Sequence, residues 1–233
     1  MPSACLIGYG KWGKILFKKL HKILDIKKIL NSKNYSLKNL EKVDWVVIAT
    51  PNKTHYKIIK ACIKIKKNIF CEKPLTLKLT EAVELYKLAK LNKVKLIVSD
   101  LSQYKKKIPI NRKINTFQRF KNSNDFVNNK IKRYDLLYNL AYHDIGYIYD
   151  FIKGKKINSI KIITTAPYLK FSIKLGKKEF LFHYDTNKKN KIYKFNKISL
   201  YQKRDIVEKM LVDYLIRKKP IITNIKKSLF IIK

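Results

Sequence analysis

Short apolar runs alternate with helical periods through the first hundred residues. The runs predict five strands, at residues 4–8, 25–30, 43–50, 68–71 and 94–99. Between them, apolar residues at three- and four-residue spacing predict helices that start near Trp12, His55 and Leu79. Strands that alternate with helices are typical of a parallel sheet covered by helices on both faces. We therefore predict an α/β fold in which residues 1–100 form a doubly wound N-terminal domain.

The pattern changes beyond Asp100. Residues 169–175 alternate apolar and polar side chains, as a half-buried strand does, and segments 158–165, 179–184 and 192–201 are predicted to be its antiparallel neighbours. Helices are predicted at residues 139–153 and 205–217, whereas residues 105–132 are polar and predict no element. Residues 101–233 are therefore expected to form a C-terminal α+β domain with a mostly antiparallel sheet.

The charge of the chain is strongly positive but unevenly composed. The formal net charge is +38, and only five of the 54 basic residues are arginines. Recognition of bases and phosphates favours arginine for its bidentate fork, and the lysines are spread along the whole chain. We therefore expect no specific nucleic-acid partner. The charge does favour anionic ligands such as dinucleotides and nucleotide-sugars.

The cysteines and the apolar runs indicate in which cellular compartment the protein is expected. Cys5, Cys62 and Cys71 lie in apolar stretches without zinc-ligand spacing, which favours reduced, buried thiols and predicts no metal site. No leader pattern and no uncharged apolar run of about 18 residues occurs, so no membrane insertion is expected. These features predict a cytoplasmic protein.

A glycine motif follows the first predicted strand. The sequence GYGKWG at residues 8–13 fits G-x-G-x-x-G between a strand and a helix, where the pattern binds dinucleotides in Rossmann domains. Its glycines allow a tight turn, close approach of a diphosphate and close helix packing, and the helix N-terminus attracts the anion. The alternative is that the glycines only close a turn. The predicted cofactor-binding residues here are Gly8, Gly10, Lys11, Trp12 and Gly13.

The end of the second predicted strand bears on the choice between NAD and NADP. A carboxylate is expected about 20 residues after the motif to bind the ribose hydroxyls of NAD. Residues 28–33 contain no carboxylate, and only Asp25 lies close by. Ser32 and Lys33 could instead accept the 2′-phosphate, so NADP is slightly favoured over NAD.

Two further motifs carry a resemblance to a known family. ATPNKTH at residues 49–55 and CEKPL at residues 71–75, in this order and spacing, resemble the Gfo/Idh/MocA family of glucose-fructose oxidoreductases and inositol dehydrogenases. The resemblance implies a Rossmann domain followed by a domain whose open antiparallel sheet often mediates oligomers, so a homo-oligomer is expected. It also implies NAD(P)-dependent hydride transfer to or from a secondary alcohol of a sugar, sugar derivative or nucleotide-sugar. Surface polysaccharide biosynthesis is one setting that the resemblance suggests.

The resemblance assigns roles to residues of both motifs. The lysine of E-K-P, here Lys73, lies beside the nicotinamide and the substrate in that family. A partly desolvated lysine suits proton transfer, because a hydroxyl proton must leave as hydride departs. Cofactor contacts are implied for Thr50, Pro51, Asn52 and Glu72. His55 is expected to pack near the cofactor, with a purely structural role as the alternative.

The family's second catalytic motif, D-x-x-x-H-D, reads NLAYHD at residues 139–144. It makes His143 the candidate acid/base residue, and Asn139 is expected to lie on the same helical face. Asn139 stands where the family has aspartate, and an amide cannot accept the proton. A helix usual in the family is also missing between the second and third strands. The alternative to an enzyme is therefore a catalytically degenerate relative that binds dinucleotide or sugar as a sensor or scaffold.

Overall fold

The structure is a computed structural model that describes residues 1–31, 33, 35–105, 107–122, 136–164, 168–201 and 205–217. It divides into two compact units. The first contains Met1–Leu101 and the segment that begins at Asp205, and the second is Ser102–Arg204. The assignment of a nucleotide-binding role and a substrate role to separate domains stays a prediction.

The first unit is built on a parallel sheet, as predicted. Its described strands lie in the order β2-β1-β3-β4-β5, and every pairing is parallel. The strands are β1 (Ser3–Ile7), β2 (Asp25–Leu30), β3 (Trp45–Ile48), β4 (Asn68–Cys71) and β5 (Leu96–Val98). β2 and β4 have the predicted bounds, β1 is shifted by one residue, and β3 and β5 are shorter than predicted because their terminal residues lie in turns.

Three helices connect these strands: α1 (Lys11–Leu20), α2 (His55–Lys64) and α3 (Leu79–Leu91). Their buried positions follow the helical period; Ile58, Ile59 and Cys62 of α2 pack into the core with Val46 and Ile48 of β3. Burial of aliphatic side chains of this kind contributes about 1.5–3 kcal/mol each. Between β2 and β3 the described residues form a 3₁₀ turn, Leu37–Leu40, and no α-helix, in agreement with the sequence prediction.

The second unit contains a mixed sheet, again mostly antiparallel as predicted. Its described strands lie in the order β11-β10-β6-β9-β8-β7, and β6 with β9 is the parallel pair. The strands are β6 (Ile114–Asn122), β7 (Ser159–Thr164), β8 (Tyr168–Leu175), β9 (Lys178–Asp185), β10 (Asn187–Phe195) and β11 (Ile198–Ser199).

Two sequence predictions for this sheet were wrong. β6 falls where no element was predicted, because the face that it shares with Phe117 also includes the buried Asn115 and the half-buried Arg119, and so lacks an apolar alternation. β10 pairs with β6 rather than with β8, so it is not a neighbour of the strand at Tyr168–Leu175. Both errors concern partners that are distant in sequence.

A helix covers one face of the second sheet. A π-helical turn, Leu137–Ala141, leads into α4 (Tyr142–Ile152), and stacked aromatic rings fill the space between helix and sheet. Phe117 and Phe182 have ring centroids 5.1 Å apart, and Phe117 and Tyr147 lie 6.2 Å apart. These ring contacts fix the orientation of α4 on the sheet, because side chains from successive turns of the helix pack against successive side chains of the strands.

The last described segment returns to the first unit. α5 (Ile206–Leu211) continues as a π-helical turn, Val212–Ile216, within the helix predicted at residues 205–217. Asp205 caps α5 by accepting hydrogen bonds from the amides of Val207 and Glu208 at 3.1 and 3.3 Å. It also forms an ion pair with Lys19 of α1. Among the described residues, no helix is both long and apolar enough to cross a membrane.

Candidate active site

The carboxyl ends of the first sheet bring the predicted motifs to one edge. Strand order reverses between β1 and β3, and ligands of doubly wound sheets bind at such a reversal. Gly8 follows β1, Thr50 follows Ile48 by two residues, and Glu72 follows β4 directly. The ladder continues into these turns: the Gly8 amide donates to Leu30 O, and the Glu72 amide donates to Ile48 O. The glycine motif and the E-K-P motif therefore share this edge.

A side chain would meet a different environment at each of the three glycines of the motif. Gly8 has φ +104°, and a Cβ there would lie 2.5 Å from the Ala49 carbonyl oxygen. A Cβ on Gly13 would lie 2.0 Å from the Gly8 carbonyl oxygen. A Cβ on Gly10 would meet no protein atom within 4 Å. The fold thus requires Gly8 and Gly13, whereas the space at Gly10 is left open beside the start of α1.

This open space suits a diphosphate. Gly10 is the N-cap residue of the ten-residue helix α1 and brings no capping side chain, and the first turn contains no acidic residue. The first amides of a helix have no partner within it, and the helix dipole adds a partial positive charge. Lys11 and Trp12 are exposed in this first turn. The residues present therefore fit a dinucleotide.

The turn after β2 also holds no carboxylate among its described residues. Asn31 follows the strand, and its Oδ1 accepts a hydrogen bond from the Lys33 amide at 2.8 Å. Asp25 cannot replace the expected acidic residue, because it pairs with Ser3 at the opposite end of the sheet and contacts Lys27 at 2.5 Å. Ser32 lies outside the described residues.

The A-T-P-N-x-x-H motif forms a turn held by its own side chains. The Thr54 hydroxyl lies 2.7 Å from Thr50 Oγ1 and 2.8 Å from the Pro51 carbonyl oxygen. Thr50 is buried, Asn52 is half-buried and Pro51 is exposed, so side chains of the turn reach the edge of the sheet.

His55 joins this turn to the E-K-P turn. Its Nδ1 lies 2.9 Å from Pro74 O and its Nε2 lies 2.9 Å from Thr50 O, and the side chain is fully buried. Burial lowers the pKa of His55, and the backbone carbonyls oppose that shift. The enclosed ring lies between two backbone carbonyls and, when neutral, donates to one of them, which suits it to holding the two turns together. The observed contacts thus correspond to the structural alternative for His55.

Glu72 connects three elements beside Lys73. Its buried carboxyl group accepts hydrogen bonds from the side chains of Trp12 and Ser99, which belong to α1 and to the turn after β5. Burial raises the pKa of Glu72, and those hydrogen bonds with the charge of Lys73 oppose the shift. Oε1 has no partner among the described residues. Glu72 and Trp12 were predicted as separate cofactor contacts; the structure bonds them to each other, and Ser99 was missed.

Lys73 follows Glu72 and is half-buried at the same edge. An amine in this position retains access to a ligand while it loses part of its hydration. The Pro74 carbonyl that receives His55 fixes the backbone directly after it. The motif therefore presents one ammonium group from a turn that is held on two sides.

The second unit contains the remaining predicted residues. His143 is half-buried in the first turn of α4, and Asn139 lies in the π-helical turn, its side chain outside the described part of the structure. The neighbouring Asp144 is fully buried, and its carboxylate accepts hydrogen bonds from Tyr184 at 2.9 Å and Tyr193 at 2.6 Å. No role for Asp144 was predicted, since its partners come from strands that are distant in sequence. Joint action of His143 with Lys73 stays a prediction.

Comparison with known protein families finds a match in the N-terminal part of the chain. Residues 17–100 match the family described as "Oxidoreductase family, NAD-binding Rossmann fold" (GFO_IDH_MocA). This N-terminal part of the chain is similar to the Gfo/Idh/MocA oxidoreductase family. The matched residues include the A-T-P-N-x-x-H and E-K-P motifs, so the resemblance proposed from the sequence is confirmed.

Curated proteins match short segments of this chain. An uncharacterized oxidoreductase, sll0816, of Synechocystis sp. is 40% identical over 73 residues, which cover 29% of this chain and 20% of that protein. Inositol 2-dehydrogenase of Rhodococcus erythropolis is 56% identical over 36 residues, which cover 16% of this chain and 10% of that protein. The matched segments thus span a fifth or less of these relatives.

Solved structures share the fold over nearly the whole chain. UDP-N-acetylglucosamine 3-dehydrogenase GnnA from Acidithiobacillus ferrooxidans superposes with a TM-score of 0.79 at 15% identity, covering 99% of this chain and 94% of that one. The WlbA dehydrogenase from Thermus thermophilus, in complex with NAD and UDP-GlcNAcA, gives a TM-score of 0.81 at 12% identity, covering 100% and 92%. At such identities the likeness establishes the fold alone.

Proposed function

We propose that this chain is an NAD(P)-dependent oxidoreductase that transfers hydride between nicotinamide and a secondary alcohol of a sugar, a sugar derivative or a nucleotide-sugar. One observation supports this proposal above the others. The open glycine turn at the start of α1 and the ammonium-bearing E-K-P turn lie at the same edge of the parallel sheet, where the strand order reverses. That arrangement suits a diphosphate and a reacting ring held by one surface.

In the proposed mechanism the first unit binds and orients the cofactor. Amides at the start of α1, beside Gly10, hold the diphosphate. The turn at Thr50, Pro51 and Asn52 contacts the nicotinamide side. The bound nicotinamide supplies the hydride acceptor or donor. Glu72 keeps the E-K-P turn at a fixed distance from α1 through its hydrogen bond with Trp12.

Lys73 carries the proton in this proposal. In its deprotonated form a half-buried amine accepts the proton of the substrate hydroxyl as hydride leaves, and returns it in the reverse direction. His143 orients the same hydroxyl or shares the proton. Asn139 binds a hydroxyl through its amide and contributes no charge.

NADP is the proposed preference between the two dinucleotides. The described residues after β2 offer Asn31 and Lys33 and no carboxylate, so a 2′-phosphate meets no repulsion there. The test is a titration with NADPH and NADH at physiological salt, where diffuse charge attraction is screened. We expect tighter binding of NADPH, and NADH binding at least as tight would reject the preference.

Turnover tests the enzyme itself. The purified chain is assayed with NAD⁺ and NADP⁺ against inositols, hexoses, uronates and UDP-sugars, by absorbance of the reduced nicotinamide. Lys73→Met should abolish turnover on any active substrate while dinucleotide binding persists. Lys78→Met, an exposed lysine five residues away, is the matched control and should retain wild-type turnover. Equal activity of the Lys73→Met and Lys78→Met variants would refute the role of Lys73.

The second candidate function is a catalytically degenerate relative that binds dinucleotide or sugar as a sensor or scaffold. Asn139 in place of the family aspartate favours it. Stoichiometric dinucleotide binding without turnover across the panel would support this alternative. Under the enzyme proposal Asn139→Asp should raise turnover by restoring a charge beside His143, whereas a scaffold gains none.

Two broader aspects belong to the same proposal. A homo-oligomer formed through the sheet of the second unit is proposed from the family resemblance, and analytical ultracentrifugation tests it. A role in surface polysaccharide precursors accords with the neighbours named for UDP-sugars. A UDP-sugar as the preferred substrate in the panel would support that role, and an inositol would contradict it.

A further inference from the structure

A charged row crosses the sheet of the second unit beneath α4. By strand register Arg119 of β6 lies between Tyr193 of β10 and Tyr184 of β9. Both tyrosine hydroxyls donate to Asp144 of α4, so the two carboxylate oxygens are each engaged by a tyrosine. Arg119, Tyr184, Tyr193 and Asp144 therefore form a polar layer, on the same face of the sheet as the packed aromatic rings.

Arg119 is incompletely satisfied in this layer. Its guanidinium carbon lies 4.5 Å from the centroid of the Tyr193 ring, a cation–π contact. Its NH1 atom is buried and has no hydrogen-bond partner among the described residues. A buried cationic donor without an acceptor is costly, and native proteins rarely retain one without a reason. The arrangement indicates an acceptor supplied from outside the layer.

Lys105 adds a second cation. Its ammonium lies 3.1 Å from the Tyr193 hydroxyl and 5.0 Å from the centroid of the Tyr147 ring. The Tyr193 hydroxyl, which donates to Asp144, thus also connects Lys105 to this row. Lys105, Arg119, Tyr147 and Tyr193, named here the basic–aromatic cluster, place two cations beside aromatic rings in a partly desolvated place.

The basic–aromatic cluster adjoins the candidate catalytic histidine. Tyr147 lies four residues after His143 in α4, so both side chains project from the same face of the helix, one turn apart. Lys105 contacts the Tyr147 ring on that face. A ligand that reaches His143 therefore lies within a helical turn of both cations.

We propose that the basic–aromatic cluster is a specificity subsite that binds the anionic group, carboxylate or phosphate, of the substrate whose hydroxyl meets His143. Arg119 offers the planar fork that suits an oxyanion, and Lys105 supplies a point charge beside it. The subsite rests on the proposed function for its role in catalysis. It deepens that function by naming the class of substrate: a sugar that carries a negative charge.

Calorimetric titration without dinucleotide tests the subsite independently of hydride transfer. The full chain is titrated at matched ionic strength with glucuronate against glucose for the carboxylate arm, and with UDP against uridine for the phosphate arm. At least one anionic ligand should bind about tenfold or more tightly than its neutral counterpart, as expected for a charged hydrogen bond. Equal affinities in both arms would overturn the proposal.

Variants separate the subsite from the diffuse charge of the chain. Lys105→Met should weaken the anion by about tenfold, and Arg119→Lys should bind better than Arg119→Met because it keeps the charge. Lys113→Met changes an exposed lysine directly before β6 and should leave the affinity unchanged. Equal losses for Lys105→Met and Lys113→Met would overturn the proposal, and this comparison decides it if the Arg119 variants fail to fold.

The same experiments distinguish the two failures. Anion preference that depends on Lys105, in a chain that binds neither dinucleotide, would retain the subsite and reject the oxidoreductase. Dinucleotide binding and turnover on neutral sugars, unaffected by Lys105→Met, would retain the oxidoreductase and reject the subsite.

Discussion

Alanine substitutions in the glycine motif separate what the fold needs from what the ligand needs. In Gly13→Ala the new Cβ lies 2.0 Å from the Gly8 carbonyl oxygen, whereas carbon–oxygen contacts shorter than 3.0 Å are essentially never seen at a Cβ. The two backbone segments must separate by about 1 Å, and overpacking of this kind costs up to about 3 kcal/mol. For a chain of this size we expect the Tm to fall by about 6–12 °C.

Gly10→Ala should behave in the opposite way. Gly10 has φ −73° and an open environment, so alanine adds no clash, and the loss in N-cap quality costs less than about 1 kcal/mol. The Tm should stay within about 4 °C of wild type. The methyl group occupies the space proposed for the diphosphate, so the dinucleotide Kd should rise at least about tenfold.

Thermal melts by circular dichroism and titration with NADPH or NADH measure both quantities on the same preparations. Wild-type dinucleotide affinity in Gly10→Ala would refute the placement of the diphosphate beside α1. A loss of stability in Gly10→Ala as large as that in Gly13→Ala would refute the structural distinction between the two glycines.

Three further predictions concern stability and reactivity. His55 is buried with a lowered pKa, so the unfolded chain binds the proton first as pH falls below about 6.5, and stability should decline from pH 7 to pH 5. His55→Gln should flatten this decline in urea melts, whereas His21→Gln, at an exposed site, should retain the wild-type slope. Burial raises the pKa of all three cysteine thiols, so Ellman's reagent should label none in the native state at pH 8 and three in urea; native labelling would contradict their burial. Asp205→Ala removes the cap of α5 and should lower the free energy of unfolding by about 1 kcal/mol, or the Tm by about 2–4 °C. Asp150→Ala removes an exposed ion pair and should change the Tm by less than about 1 °C.

The sequence predicts the first sheet well because its information is local. β2 and β4 are apolar segments bounded by turn residues, and the glycine motif follows a strand directly. Each of these features is decided by neighbours within about ten residues. The same holds for the A-T-P-N-x-x-H and E-K-P motifs, whose placement at one edge follows from the parallel arrangement of their strands.

The second sheet depends on partners that local pattern does not report. β6 buries Asn115 and half-buries Arg119, and polar residues at those positions hide the alternation of a strand. Arg119 is accommodated because Tyr184 and Tyr193 flank it and Asp144 binds both tyrosines. That environment exists only once β6 lies between β9 and β10. The contact of Glu72 with Ser99 and Trp12 has the same origin, since three separate segments must meet.

A crystal structure with NADP⁺ or NAD⁺ bound tests the central claim most directly. We predict the diphosphate on the amides at the start of α1 beside Gly10, and the nicotinamide at the turn of Thr50 with the Lys73 ammonium close enough to reach a hydroxyl bound at the ring. A dinucleotide bound elsewhere at saturating concentration, with the glycine turn empty or with Lys73 remote from the nicotinamide, would contradict the account.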